Sequence, residues 1–393
     1  MNLKIAVLPG DGIGPEVTEQ AVKVLNAIAI NFNHKFSYTY ADVGAIAIDN
    51  HNDPLPETTL QICKKNNAIL FGAIGDPKYD NDPSAKIRPE QGLLKLRKEL
   101  GLFANIRPVK AYKTLLKKSP LRKKIIKGTD ISIYRELTGG LYFGEKKLSE
   151  DGNTASDLCT YSRHEIERIT HMAFKAAKAR KNKVTLVDKA NVLESSRLWR
   201  KVVTEIGKQY PKVNLDFLFV DNAAMQMIQN PKQFDVILTE NLFGDIISDE
   251  ASVIGGSIGL LASASVGNKY AMFEPIHGSY PQATGKGIAN PVASILSAAM
   301  LLDHFELYEE AKMIRKAVDK SLVLQITTPD LNKKFDNVTT SKVGDFIEDF
   351  INNPEDSNLN FSNIYLGQST IIKTKKFNKK KPHALHEAFF VTI

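Results

Sequence analysis

Short apolar runs alternate with amphipathic stretches along most of the 393-residue chain. Lys4 to Leu8 reads as a buried strand that ends in the turn PGDGIGP. The stretch PEVTEQAVKVLNAIA then has helical spacing, with Pro15 in its first turn, where a missing N–H costs nothing. AILFG (68–72), KVTLVD (183–188), LDFLFVD (215–221) and FDVILTE (234–240) predict strands, and HEIERITHMAFKAAKAR predicts a helix between two of them. This alternation predicts an α/β fold with a largely parallel sheet, helices on its faces, and ligands at the carboxyl ends of the strands. GGSIGLLASASVGN, from residue 255, is expected as a loop or a tightly packed helix, with two lobes around a cleft. NNPEDSNLN (352–360) is a linker candidate, and no period of 20 to 50 residues repeats.

Composition adds limits. Hydrophobic residues at 43% and charged residues at 24% suit a globular chain of more than one domain. Of the net charge of +8, the last 21 residues supply +5, from Lys373, Lys375, Lys376, Lys379, Lys380 and Lys381 against Glu387. The body carries only +3, which gives little support to nucleic-acid binding. Cys63 and Cys159 form no CxxC pair, so neither a disulfide framework nor structural zinc is expected. The run IAVL near the N-terminus is too short for a signal segment or a membrane span, so a cytoplasmic protein without a membrane partner is expected.

Gly10, Gly12 and Gly14 invite comparison with the dinucleotide fingerprint GxGxxG, but Pro15 stands where its third glycine belongs. A tight strand-to-helix turn explains them better. An ordinary Rossmann fold is not expected, and any nicotinamide cofactor must be held elsewhere.

Asp245 and Asp249, in NLFGDIISDEAS, are four residues apart in a helical pattern, which puts both carboxylates on one face. The same spacing is common on solvated helices. A hard divalent cation, Mg²⁺ or Mn²⁺, needs several oxygen ligands, and Asp221 is a third candidate. Arg97, Arg107 and Arg135 lie beside strands or turns, and guanidinium forks suit the carboxylates of a small diacid. Lys189, after the strand KVTLVD, and Tyr142, after Gly139 and Gly140, offer a base and an acid. EPIHGSYPQATGKGIANP (274–291), with His277 and Asn290, is either a plain surface loop or one that lets a phosphate or adenine approach its backbone.

Together, LPGDGIGPEV, GDPKYDNDPSAKIRPEQGLLKLRKELGLFANIRPV, RELTGGLYFG, VDKANVLESSRLWR, TENLFGDIISDEAS and EPIHGSYPQATGKGIANP resemble the β-decarboxylating isocitrate/isopropylmalate dehydrogenases, in order and to about residue 350. The resemblance implies an open two-lobed α/β fold that is not an ordinary Rossmann fold. Residues 1–101 and 256–366 would form the first lobe, 102–255 the second, and 367–393 a basic tail without a counterpart in the family. It implies that Arg97, Arg107 and Arg135 bind malate carboxylates and that Asp221, Asp245 and Asp249 surround the metal, with Asp221 also facing substrate. Tyr142 and Lys189 would be acid and base, in a homodimer whose site borrows Lys189 and Asp221 from the other subunit. NAD would lie against Glu274, His277, Gly278, Ser279, Tyr280, Pro281, Gln282, Ala283, Gly285, Ile288, Ala289 and Asn290. Gln282 stands where many NAD-using relatives have an aspartate. Leu93 and Leu94 favour an isopropyl substituent over a third carboxylate, so oxidation of 3-isopropylmalate in leucine biosynthesis is expected. Tartrate, malate, homoisocitrate or isocitrate are the alternatives within the family, and nucleic-acid binding through the lysine-rich tail is the alternative outside it.

Overall fold

Runs that are apolar on every residue become strands covered on both faces. In the computed structural model, which describes residues 1–81, 85–332 and 337–354, ten strands form one sheet. They are β1 (Asn2–Gly10), β2 (Lys35–Tyr40), β3 (Ala68–Ala73), β4 (Ala104–Lys110), β5 (Asp130–Glu136), β8 (Lys183–Asp188), β9 (Asn214–Phe219), β10 (Val236–Thr239), β11 (Ala262–Val266) and β12 (Ala271–Pro275). β6 (Lys146–Leu148) and β7 (Ala155–Asp157) pair as a separate arm. The order in the large sheet is β2-β1-β3-β12-β11-β4-β5-β10-β8-β9.

β4 is antiparallel to both neighbours and β11 to β12, whereas the other pairs run parallel. Double coverage is visible along β10. Val236 and Leu238 join a core with Phe174 and Trp199 of α7 (Arg163–Lys178) and α8 (Glu194–Gly207). Between them, Ile237 turns to the other face and packs with Met227 and Ile247 of α9 (Val220–Gln229) and α10 (Asn241–Gly255). A period of two on a strand buried on both sides accounts for its unbroken apolar run.

The other half of the sheet is served by α1 (Gly14–Asn31), α2 (Ala45–His51), α3 (Glu57–Lys65), α4 (Pro77–Asp80), α5 (Pro89–Glu99), α11 (Val292–His304), α12 (Tyr308–Val323) and α13 (Thr340–Asn352), while α6 (Lys123–Ile126) is a single turn before β5. The glycines at 10, 12 and 14 do make a strand-to-helix turn. Two details depart from expectation. The segment from residue 255 is neither loop nor helix over ASASV: it is β11, and its small side chains fit a sheet interior crossed by polar contacts. Asp221 does not end a strand; β9 stops at Phe219, and Asp221 opens α9. The expected tail, 367–393, and all of the linker beyond 354 lie outside the described residues.

Candidate active site

Three parallel strands, β5, β10 and β8, end side by side and deliver Arg135, Glu240 and Asp188 to one edge. α10 leaves from that edge. Its polar stripe runs Asn241, Asp245, Ser248, Asp249, spaced to share one helix face. Arg135 is 2% exposed and fully engaged: Nε and NH2 donate to Asn241 Oδ1 at 3.0 and 2.8 Å, and NH1 donates to Asp245 Oδ1 at 2.5 Å. Gly244 makes this approach possible, because a Cβ there would stand 2.6 Å from Arg135 Cγ.

Arg107 enters from β4. Its Nε donates to Asn105 Oδ1 at 2.7 Å, and its NH1 donates to Ser248 Oγ at 2.6 Å and Asp249 Oδ1 at 3.3 Å. Its NH2 lies 3.6 Å from Asp245 Oδ1. Tyr142 donates to the other Asp245 oxygen at 2.8 Å. The turn that carries it is shaped by buried Glu136, whose carboxylate accepts from the N–H groups of Thr138 (2.9 Å) and Gly139 (2.7 Å).

The charges set one another. Burial lowers the pKa of both guanidiniums, to about 10 for Arg135, where Arg107 adds repulsion. Burial alone would raise the Asp245 carboxyl, but Arg135 and Arg107 outweigh it and hold it below the ordinary carboxylate range. Burial dominates at Asp249 and raises it. Burial and the bond to Asp245 both raise the Tyr142 hydroxyl, which therefore keeps its proton to give.

A cavity of about 120 Å³ joins the two sets of expected residues. Leu93, Arg97 and Arg107 line it together with Glu274, His277 and Gly278. Leu93 and Arg97 are one turn apart on α5, and Arg97 NH2 donates to Glu274 Oε1 at 3.0 Å. Leu94 is half-buried and outside the cavity wall. Beneath lies a polar seam in which Asn105 donates to Ser263 Oγ (2.8 Å) and Ser265 Oγ (3.1 Å), and Ser265 donates to Glu274 Oε1 (3.0 Å).

The 278–290 loop is held from below by the glycine turn. Ile13 N–H donates to Ser279 O at 2.8 Å, and a Cβ on Gly12 would stand 2.1 Å from that oxygen. Glu16 accepts from Gly285 N–H at 2.6 Å and Gly287 N–H at 3.1 Å. Both glycines have positive φ, +71° and +62°, which side chains rarely adopt. His277 Nε2 is buried without a partner, while Nδ1 lies 3.0 Å from Gly278 O.

Lys189 and Asp221 form a second cluster. Lys189 Nζ donates to Asp221 Oδ1 at 2.8 Å, which lowers the exposed Asp221 carboxyl. Among the described residues no hydrogen bond or ion pair joins this pair to Tyr142 or Asp245, and no three His, Cys, Asp or Glu side chains converge as a metal cage. Asn105, Asn241 and Ser248, which orient the two arginines, were not singled out from the sequence. Their signal was periodicity: Asn105 is two residues from Arg107 on a strand, and Asn241 is one turn before Asp245.

The isocitrate/isopropylmalate dehydrogenase family profile matches residues 4–347. A 3-isopropylmalate dehydrogenase of Bacteroides fragilis (strain YCH46) is 56% identical over 352 residues, covering 89% of this chain and 99% of that protein. One from Bacillus subtilis (strain 168) is 53% identical, covering 87% of this chain and 95% of that protein. The crystal structure of isocitrate dehydrogenase from Methylococcus capsulatus superposes with a TM-score of 0.80 at 34% identity, covering 89% and 99% of the two chains. This chain belongs to the isocitrate/isopropylmalate dehydrogenase family.

Proposed function

We propose that the chain catalyses NAD-linked oxidative decarboxylation of (2R,3S)-3-isopropylmalate to 4-methyl-2-oxopentanoate and CO2, a step of leucine biosynthesis. The observation that carries this reading is the pair of buried arginines converging on Asp245, with Tyr142 on its other oxygen. Arg97, Arg107 and Arg135 bind the substrate carboxylates. Lys189 takes the hydroxyl proton; NAD, which the 278–290 loop would hold, would supply the acceptor for the C2 hydride. The 3-carboxyl departs as CO2. Its bonding pair stays on C3, where a proton from Tyr142 completes the product.

Asp245 and Asp249 are hard oxygen donors at an open edge, and with Asp221 they suit Mg²⁺ or Mn²⁺. A cation held there would supply Lewis acidity to the developing oxyanion. The unpartnered His277 Nε2 and the exposed loop suit NAD. Gln282 offers an amide to the adenosine ribose.

Asp221 and Lys189 reach the pair from a second copy in this reading. Supporting it, α9 and α10 present four large apolar side chains to solvent, Met225, Ile228, Ile246 and Val253, which suit burial against a second copy. The arm adds Leu148 and exposed Leu158 follows it. The strand order supports two lobes: from β2 to β11 the strands come from 1–101 or 256–366, and from β4 to β9 they come from 102–255. No helix of the described residues is long and apolar enough to cross a membrane.

Leu93 in the cavity wall favours a branched alkyl substituent, worth about 1 to 3 kcal/mol on burial, over a carboxylate. The deciding experiment measures NADH formation from 3-isopropylmalate and from isocitrate, with and without chelator, and with NADP in place of NAD. The expected result is chelator-sensitive turnover of 3-isopropylmalate with NAD. Preference for isocitrate would overturn the reading of Leu93.

A further inference from the structure

The chain's positive charge is concentrated in a second place besides the tail. Residues 110–127, KAYKTLLKKSPLRKKIIK, hold eight basic side chains and no acid, so this segment alone matches the +8 of the whole chain. All eight are exposed, and among the described residues none of them forms an ion pair. Such a surplus on a metabolic enzyme with an anionic substrate asks what it holds.

A cavity of about 580 Å³ opens within this segment. Lys110, Lys113 and Lys127 line it, with Tyr112, Thr114 and Thr129. Lys110 Nζ lies 5.4 Å from the centre of the Tyr112 ring. Thr129 is 2% exposed, and its hydroxyl is buried with no hydrogen-bond partner. An orphaned buried hydroxyl costs about 1 to 3 kcal/mol unless something binds it. Of the two acids in the wall, Asp130 is paired with Arg180 at 2.6 Å, which leaves Asp319 against three lysines.

We propose that this cavity is a second ligand site, for an oligophosphate, separate from the cavity at Arg97 and Arg107. Lysine ammonium groups act as point charges on phosphate oxygens, whereas paired carboxylates prefer guanidinium forks like those at the substrate cavity. The volume lies within the range of small-molecule sites. The phosphate chain of a nucleotide and free pyrophosphate share this chemistry.

The test is calorimetric titration of the full chain with inorganic pyrophosphate and with ATP at fixed salt. Lys113→Gln combined with Lys127→Gln is expected to weaken both at least tenfold, and the uncharged swap Thr129→Val several-fold, with melting temperature and NADH formation unchanged. Lys117→Gln with Lys118→Gln, outside the cavity wall, is expected to change binding less than twofold. Tighter binding of ATP assigns the site to nucleotides, and equal binding assigns it to the phosphates alone. Equal loss in the Lys117/Lys118 variant, no effect of Thr129→Val, or displacement by 3-isopropylmalate would each overturn the site. So would a single-stranded oligonucleotide that binds more tightly than either probe.

Discussion

Glu240 is a residue with a burden. It sits at the start of α10 at 4% exposure without capping it, and its Oε2 has no hydrogen-bond partner. Burial, then repulsion from Asp188, raise its pKa to about 7. Below the ordinary value of 4.5 both folded and unfolded chains hold this proton, and Glu240 costs nothing. Between 4.5 and about 7 the unfolded chain has released it and the folded chain has not, so stability falls as pH rises; above 7 the full penalty stands. Glu240→Gln is expected to remove that slope, and thermal melts of both proteins from pH 4.5 to 8 will show it. At pH 8 the gain should be on the order of 2 to 3 kcal/mol, and parallel melting curves would show that the carboxyl is not buried as described.

At the level of elements, the glycine turn and α1 form a cradle for the 278–290 loop rather than a cofactor fingerprint. Glu16 grips two backbone N–H groups of that loop, and charge-assisted bonds of this kind contribute about 1.5 to 3 kcal/mol each. Glu16→Gln is expected to raise the Kd for NAD about tenfold, to speed hydrogen exchange at Gly285 and Gly287, and to lower the melting temperature by a few degrees. Unaltered exchange at those glycines would rule the grip out. The elements differ in how far they could be foreseen. Strands such as KVTLVD were legible because branched apolar residues on both faces leave few alternatives. β11 was not, because ASASV has no apolar pattern; its serines serve Asn105 and Glu274 from distant parts of the chain. The shared helix face of Asp245 and Asp249 was legible from spacing, whereas their candidacy as metal ligands came from the motifs around them. The helix start before Asp221 depends on tertiary contacts that spacing does not reveal, and for the asparagines that seat Arg107 and Arg135 spacing gave a shared face but not the contact.

For the molecule as a whole, the proposed shared site takes Lys189 and Asp221 from a second copy, and in that proposal assembly is a condition of activity. Met225→Asp with Ile228→Asp places charge on the exposed apolar face of α9. The expected outcome is a halved mass by light scattering and a loss of turnover above a hundredfold, while NAD still binds. A fully active monomer would refute the shared site.

The sheet order also dictates a timetable. β1 and β3 await β12, some 200 residues further along, and Glu16 awaits Gly285, so the first hundred residues leave the ribosome well before the strand that completes their half of the sheet. The middle segment, by contrast, holds β4, β5, β8, β9 and β10 in one continuous stretch and has its own core. Contacts far apart in sequence form slowly because long loops must close first. Synthesis thus favours a middle that folds ahead of its two ends: the early strands can gather Leu8, Leu55, Phe71 and Leu96 into one core, but its last member, Met272, arrives only with β12.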